Sequence, residues 1–130
     1  MNEATRKELL ELNAKLLASI AGGDWLTYCE LCDLSLTAFE PEAQGQLVAG
    51  LEFHKFFFDL GASGLPHHTT MASPHVRLLG EDVAVVSTTR LVQRADAAGT
   101  PSISASNETR VWHRQQGRWR HVHFHRSPLA

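Results

Sequence analysis

The segment from Glu108 to Ser127, ETRVWHRQQGRWRHVHFHRS, gathers five arginines and four histidines in a chain whose formal net charge is only −2. Side chains of these types can grip a nucleic acid, ligate a metal, hold an anion or line a polar hairpin. The first use fits poorly. The basic residues alternate with apolar ones and form no continuous stripe, and a pI of about 6.4 lacks the basic excess of a polyanion binder. His121, His123 and His125 alternate along one strand and could face a common ion. No carboxylate accompanies them, however, and neutral imidazoles also pack at interfaces or bond to backbone, so no metal is expected. Cys29 and Cys32 form a C-x-x-C inside an expected helix, without a second pair to complete a zinc site and without the strand-to-helix setting of a redox motif. They are expected to be structural, and no cofactor is implied.

The anion reading depends on which elements carry the arginines. Leu9, Leu12, Leu16 and Ile20 recur at helical spacing over about residues 3–21. Gly22-Gly23 stops that helix, and Asp24 reads as the N-cap of a short helix through WLTYCELC. LTAFEPEAQG is turn-rich, and residues 51–60 read as a third helix, with Leu51, Phe53, Phe57 and Leu60 available for burial. After GASGLP the period falls to two, which predicts strands near 67–79, 83–94, 102–114 and 118–126. Helices followed by an antiparallel meander define an α+β domain with its helices on one face of a sheet.

Within that frame Gln115-Gln116-Gly117 suits a three-residue hairpin loop, placing Arg110 opposite Val122 and Glu108 opposite Phe124. Alternation then puts Glu108, Arg110, Trp112, Val122, Phe124 and Arg126 on one face, and Arg90 with Ala84, Val86 and Val92. Three arginines on apolar strand faces are anomalous, since a buried charge must be paired or reach water. Glu108 can pair with one and Glu40 with another. A third, left facing a cavity, favours a carboxylate or phosphate, which guanidinium binds through two parallel hydrogen bonds. Spacing alone leaves two alternatives open, an internal ion-pair network and an anion pocket. His54, in the middle of the third helix among aromatics, reads by itself as a core histidine.

The stretches GDW, LTAFEPEAQGQLVAGLEFHKFFF, PHVRLLGEDVAVV, TRLVQ and NETRVWHRQQGRWRHVHFHRS closely resemble the association (hub) domain of calcium/calmodulin-dependent protein kinase II, in family order over nearly the whole chain. The resemblance implies the cone-shaped nuclear transport factor 2-like (cystatin-like) fold, with helices packed on a curved antiparallel sheet around a pocket. It also implies assembly into stacked rings. The family's pocket positions fall on His54, Arg90, Arg110 and Arg126. The chain departs from the family pattern at Lys55, and its GASGLP loop is shorter and lacks a tryptophan that some relatives carry there.

The function expected on these grounds is a non-catalytic oligomerisation module with an arginine-lined pocket for a small carboxylate-type anion. The alternative is a small proton-transfer enzyme of the isomerase or dehydratase type, with His54 as base and Glu40 as second candidate, supported by fold analogy alone. Residues 1–130 are expected to form one stand-alone domain. No Gly-rich phosphate loop, H-R-D or D-F-G is present, so no kinase domain is expected. A cytoplasmic location is expected, with no membrane span and no nucleic-acid partner. The partner is the chain itself, as a dimer and, through the resemblance, a higher ring. Parity turns Val111, Trp119, His121 and His123 outward as its interface, because so much exposed apolar area usually marks one.

Overall fold

The computed structural model describes residues 2–129. The first helix, α1 (Glu3–Gly22), starts where the Asn2 side chain accepts hydrogen bonds from the Ala4 and Thr5 amides. It ends at Gly23, whose φ of +67° lets the amides of Gly23 and Asp24 turn back onto Ile20 and Ser19. A Cβ at Gly23 would also lie 3.2 Å from the Ala62 amide nitrogen. The glycine therefore lets the loop after the third helix pack against the end of α1. Asp24 caps α2 (Trp25–Leu31) as expected, accepting from the Thr27 amide and hydroxyl.

The sequence reading missed the next element. CDLSLTAF does not continue the helix or turn; it forms β1 (Cys32–Phe39), with Cys32, Leu36 and Ala38 buried. A single 3-10 turn at Pro41–Ala43 and the short β2 (Val48–Ala49) lead to α3 (Glu52–Asp59). On α3 only His54 is fully buried; Phe57 is 43% and Leu60 70% exposed, contrary to the burial expected of them. The four expected strands are present as β3 (His67–Leu78), β4 (Val83–Ala95), β5 (Pro101–Gln115) and β6 (Arg118–Pro128).

The six strands form one sheet in the order β2-β1-β6-β5-β4-β3. All neighbours are antiparallel except β1 and β6, which run parallel, so the expected wholly antiparallel sheet is in fact mixed. Irregularities interrupt β3 between Ala72 and His75, and the β5–β6 ladder between Val111 and Trp112. Bulges of this kind bend a strand and increase its twist. The helices cover one face, where Leu9, Leu16, Tyr28, Leu36, Val86 and Phe124 join Trp112 in a single core. The indole Nε1 of Trp112 donates to Oδ1 of buried Asn13, satisfying both polar groups within that core.

The β5–β6 turn differs from the expected three-residue loop. Gln115 pairs with Arg118, and only Gln116 and Gly117 lie between them, at φ of +53° and +78°. Two successive positive φ values define the tight turn whose twist matches a hairpin. Arg110 consequently faces Phe124 rather than Val122, and Glu108 faces Arg126. Val122 is the extra residue of the bulge. It reverses the parity of everything between itself and the turn.

Candidate functional site

The inner faces of β4, β5 and β6 form rows across the sheet. Val86, Arg110 and Phe124 make one row, and Thr88, Glu108 and Arg126 the next, with Arg90 beside Ser106 beyond. Glu108 is the centre of the arrangement. Its Oε1 accepts from Arg110 Nη2 at 2.9 Å and Nε at 3.3 Å, while its Oε2 lies 3.1 Å from Arg90 Nε. The Arg90 Nε–H is buried and points away from hydrogen-bond direction, so this contact compensates charge without a directed bond. One carboxylate thus serves two arginines. Burial alone would raise the Glu108 pKa, but the guanidinium of Arg110, and then that of Arg90, outweigh it and hold the pKa below the ordinary glutamate value.

Arg110 is 2% exposed. Beyond its bonds to Glu108, its Nη1 donates to His121 Nε2 at 3.3 Å, and its guanidinium carbon sits 4.5 Å over the Phe124 ring. Guanidinium only donates, so Nε2 of His121 must be the acceptor and Nδ1 carries the proton, 3.4 Å from Cys32 Sγ. Burial and then the Arg110 charge push the His121 pKa well below its usual value, in keeping with that neutral form. Burial also pushes the Cys32 thiol up to about 12, so this cysteine remains protonated and inert.

Two further side-chain pairs complete the site. His54 Nε2 donates to Glu40 Oε1 at 2.7 Å, both side chains being over nine-tenths buried, and Arg126 Nη2 pairs with Glu42. The pairing expected between Glu40 and an arginine is therefore corrected: Glu40 takes His54, and Glu42 of the 3-10 turn takes Arg126. The His54 ring lies among Tyr28, Phe53 and Phe124, where its Nδ1 is buried without a partner. Nε2 is committed to Glu40 and the Nδ1 lone pair, though unpartnered, is shielded by the surrounding rings, so neither ring nitrogen is open to a molecule in the cavity.

A cavity of about 330 Å³ opens between α3 and these strands, and His54, Glu40, Arg90, Arg110 and Arg126 all line it. Four expected pocket residues and Glu40, the second candidate base, are therefore brought together by four different elements and the turn after β1. Arg94, Glu42, Tyr28 and Phe57 line it too and were not anticipated. Arg94 was legible, since it continues the even parity of Arg90 and Val92. Counting Glu108, four arginines meet three carboxylates, so the arginines outnumber the carboxylates by one.

The expected outer face needs correction. Val111 and His123 are paired neighbours there, each partly exposed. Trp119 and His121 are not outside: they are 6% and 0% exposed, because the bulge at Val122 turns them inward. Trp119 Nε1 donates to Glu8 of α1, beneath the Arg114 guanidinium. His121 is likewise on the opposite face from His123 and His125, so the three do not converge on a common ion.

A mixed sheet wrapped on one side by helices around a polar cavity is the nuclear transport factor 2-like architecture. A superfamily member from Salmonella enterica superposes with a TM-score of 0.78 over 98% of this chain and 93% of its own, at 19% identity, which shows the fold alone. More specific matches define the family. The model of the calcium/calmodulin dependent protein kinase II association domain matches residues 5–130. The type II calcium/calmodulin-dependent kinase subunit delta of Oryctolagus cuniculus is 47% identical over 96% of this chain, which spans only 24% of that relative's length. The association domain of C. elegans CaMKII superposes with a TM-score of 0.92 at 45% identity, covering 96% of both chains. The chain belongs to the calcium/calmodulin-dependent protein kinase II association domain family.

Proposed function

We propose that this chain is a self-associating, non-catalytic module whose arginine-lined cavity accepts a small carboxylate-type anion. The observation that carries self-association is a set of large apolar side chains that a monomer would leave in water. Leu34 is 80%, Leu47 55%, Phe56 63% and Leu60 70% exposed, and apolar area of this kind marks an interface where it is contiguous. Membership in an association-domain family supports the same reading, for a dimer or a higher ring. Light scattering behind a sizing column tests it. A mass that is a multiple of 14.4 kDa is expected, and paired Phe56→Glu and Leu60→Glu substitutions should lower it with secondary structure intact. A 14.4 kDa species at micromolar concentration would overturn the proposal.

The anion reading rests on the positive excess in the cavity, where desolvated guanidinium groups favour a carboxylate over water. Thermal melting of the same chain with acetate and with acetamide tests it, since mass action ties the shift to affinity. Acetate should stabilise and the neutral amide should not; equal shifts would remove the reading. Proton transfer is the weaker function for this site. The Glu40–His54 pair has the form of an oriented base, but it has no ring nitrogen within reach of a substrate.

A further inference from the structure

The arginines of the site differ in how much binding capacity they retain. Each nitrogen of Arg110 already donates, to Glu108 or to His121, and the residue is almost wholly buried. Arg126 is matched by Glu42. Arg90 shares Glu108 with Arg110, and among the described residues its terminal nitrogens have no hydrogen-bond partner. Among the described residues Arg94 has no carboxylate partner; its Nη1 donates to Ser104 Oγ at 2.8 Å, which fixes the guanidinium and leaves its other donors open. The positive excess is therefore local, concentrated at Arg90 and Arg94 on one face of β4. Arg94 also adds to the charge that, after burial itself, lowers the Arg90 pKa alongside Arg110 and Arg126.

These two arginines line a second cavity as well. It measures about 350 Å³ and lies between the C-terminal end of α1, the loop at residues 61–66 and the ends of β3 and β4. Its remaining wall is largely apolar, including Leu17, Ile20, Leu65, Pro66 and Val92. The loop approaches closely at Gly23, where a side chain would meet Ala62. A concave, mostly apolar chamber with two charged groups in its wall is the usual form of a small-molecule site. Its volume equals that of about a dozen waters at roughly 30 Å³ each, far more than acetate fills.

We infer that this second chamber is a binding site for an amphipathic carboxylate, with the carboxylate held by Arg90 and Arg94 and the apolar chain lying against Leu17, Leu65 and Val92. The inference rests on the anion reading proposed above and adds a seat, a ligand class and a residue, Arg94, to it. An acid of this kind neutralises the excess charge at Arg94 while burying its chain. A short acid does only the first.

Isothermal titration of the whole 130-residue chain with acetate, butyrate, hexanoate and octanoate, using hexanol as an uncharged control, tests the inference. Affinity should rise about fourfold per methylene, from about 0.8 kcal/mol per buried methylene, until the chamber is full. Arg94→Gln alters an exposed side chain and should leave the fold intact while weakening octanoate at least about tenfold. Leu65→Ser should weaken octanoate far more than butyrate. Affinity independent of chain length, or wild-type octanoate binding by Arg94→Gln, would overturn the inference. If the short acids still bind and depend on Arg126 but not on Arg94, the anion cavity stands and the second chamber falls. If no carboxylate binds the wild-type chain, both fall.

Discussion

Acid should destabilise this domain in a pH range set by His121. The ring is fully buried and faces Arg110 from β5, Cys32 from β1 and His54 from α3. Burial first, and the Arg110 charge second, keep it neutral in the folded chain well below the ordinary histidine value. The unfolded chain protonates the same residue near pH 6.5, roughly the unperturbed value. Between the two pKa values the unfolded state binds more protons, so stability is complete above the unfolded value and falls as the pH drops below it. For one site, lowering the pH from about 7.5 to about 5.5 costs about 1.4 kcal/mol, a tenfold change in the folding equilibrium.

Glu108 has the same sign but a lower window. Its depressed pKa contributes stability that is lost only as the pH falls below the ordinary glutamate value of about 4.3. His123, lowered by partial burial and by neighbouring His125, adds a smaller share, because its ring remains in contact with water. Urea denaturation at a series of pH values, at fixed protomer concentration to hold any association constant, measures the slope. His121→Phe keeps the aromatic stack on Phe124 and Trp112 but removes the proton. It should lower stability at neutral pH, by leaving Arg110 Nη1 without its acceptor, and flatten the slope by about one proton. His123→Gln should flatten it by less. A His121→Phe variant with the wild-type slope would refute this account of the buried histidine.

Glu108→Gln should cost about 3–5 kcal/mol in urea unfolding, because it leaves two buried guanidinium groups uncompensated, whereas Glu42→Gln at the more exposed Arg126 pair should cost under about 1 kcal/mol. Trp119→Glu should unfold the chain, as read by loss of near-ultraviolet circular dichroism, and not merely dissociate an assembly. Its ring is packed under α1 and the Arg114 guanidinium, where a carboxylate has no water.

Four long strands were legible because their period of two persists for a dozen residues each. The inward positions of β4 and β5 are apolar often enough to make Arg90 and Arg110 stand out. The first strand was not legible. Its outward residues are Asp33, Leu34, Ser35 and Thr37, its register with β6 shifts between Cys32 and Thr37, and a turn follows immediately. Its pairing is also parallel, a partnership no hairpin signal announces. The bulge at Val122 was missed because WRHVHFH alternates evenly through it. A sign was nonetheless present: Trp119 and Phe124 are both large apolar residues, and they stand at odd and even positions of one strand. Both can face a core only if a residue is inserted between them. That single insertion explains why Trp119 and His121 lie inside while His123 stays out.

The two meanings open to the arginines, structural network and anion seat, are distributed along the sheet instead of excluding one another. Arg110 lies deepest, with each of its nitrogens already bonded and an aromatic ring beneath it, so its removal would cost the fold before it could report on any ligand. Arg126 is balanced by a carboxylate from the 3-10 turn. Arg90 is shared, and Arg94, at the open end of β4, has only a serine hydroxyl. Charge compensation is therefore strongest at buried Arg110 and weakest at exposed Arg94. This follows from desolvation: an unpaired guanidinium is tolerable where water can still reach it and prohibitive where it cannot. Capacity for an exogenous anion must then lie at the outer end of the row. It is Arg94, rather than the buried Arg110, whose substitution can separate binding from folding.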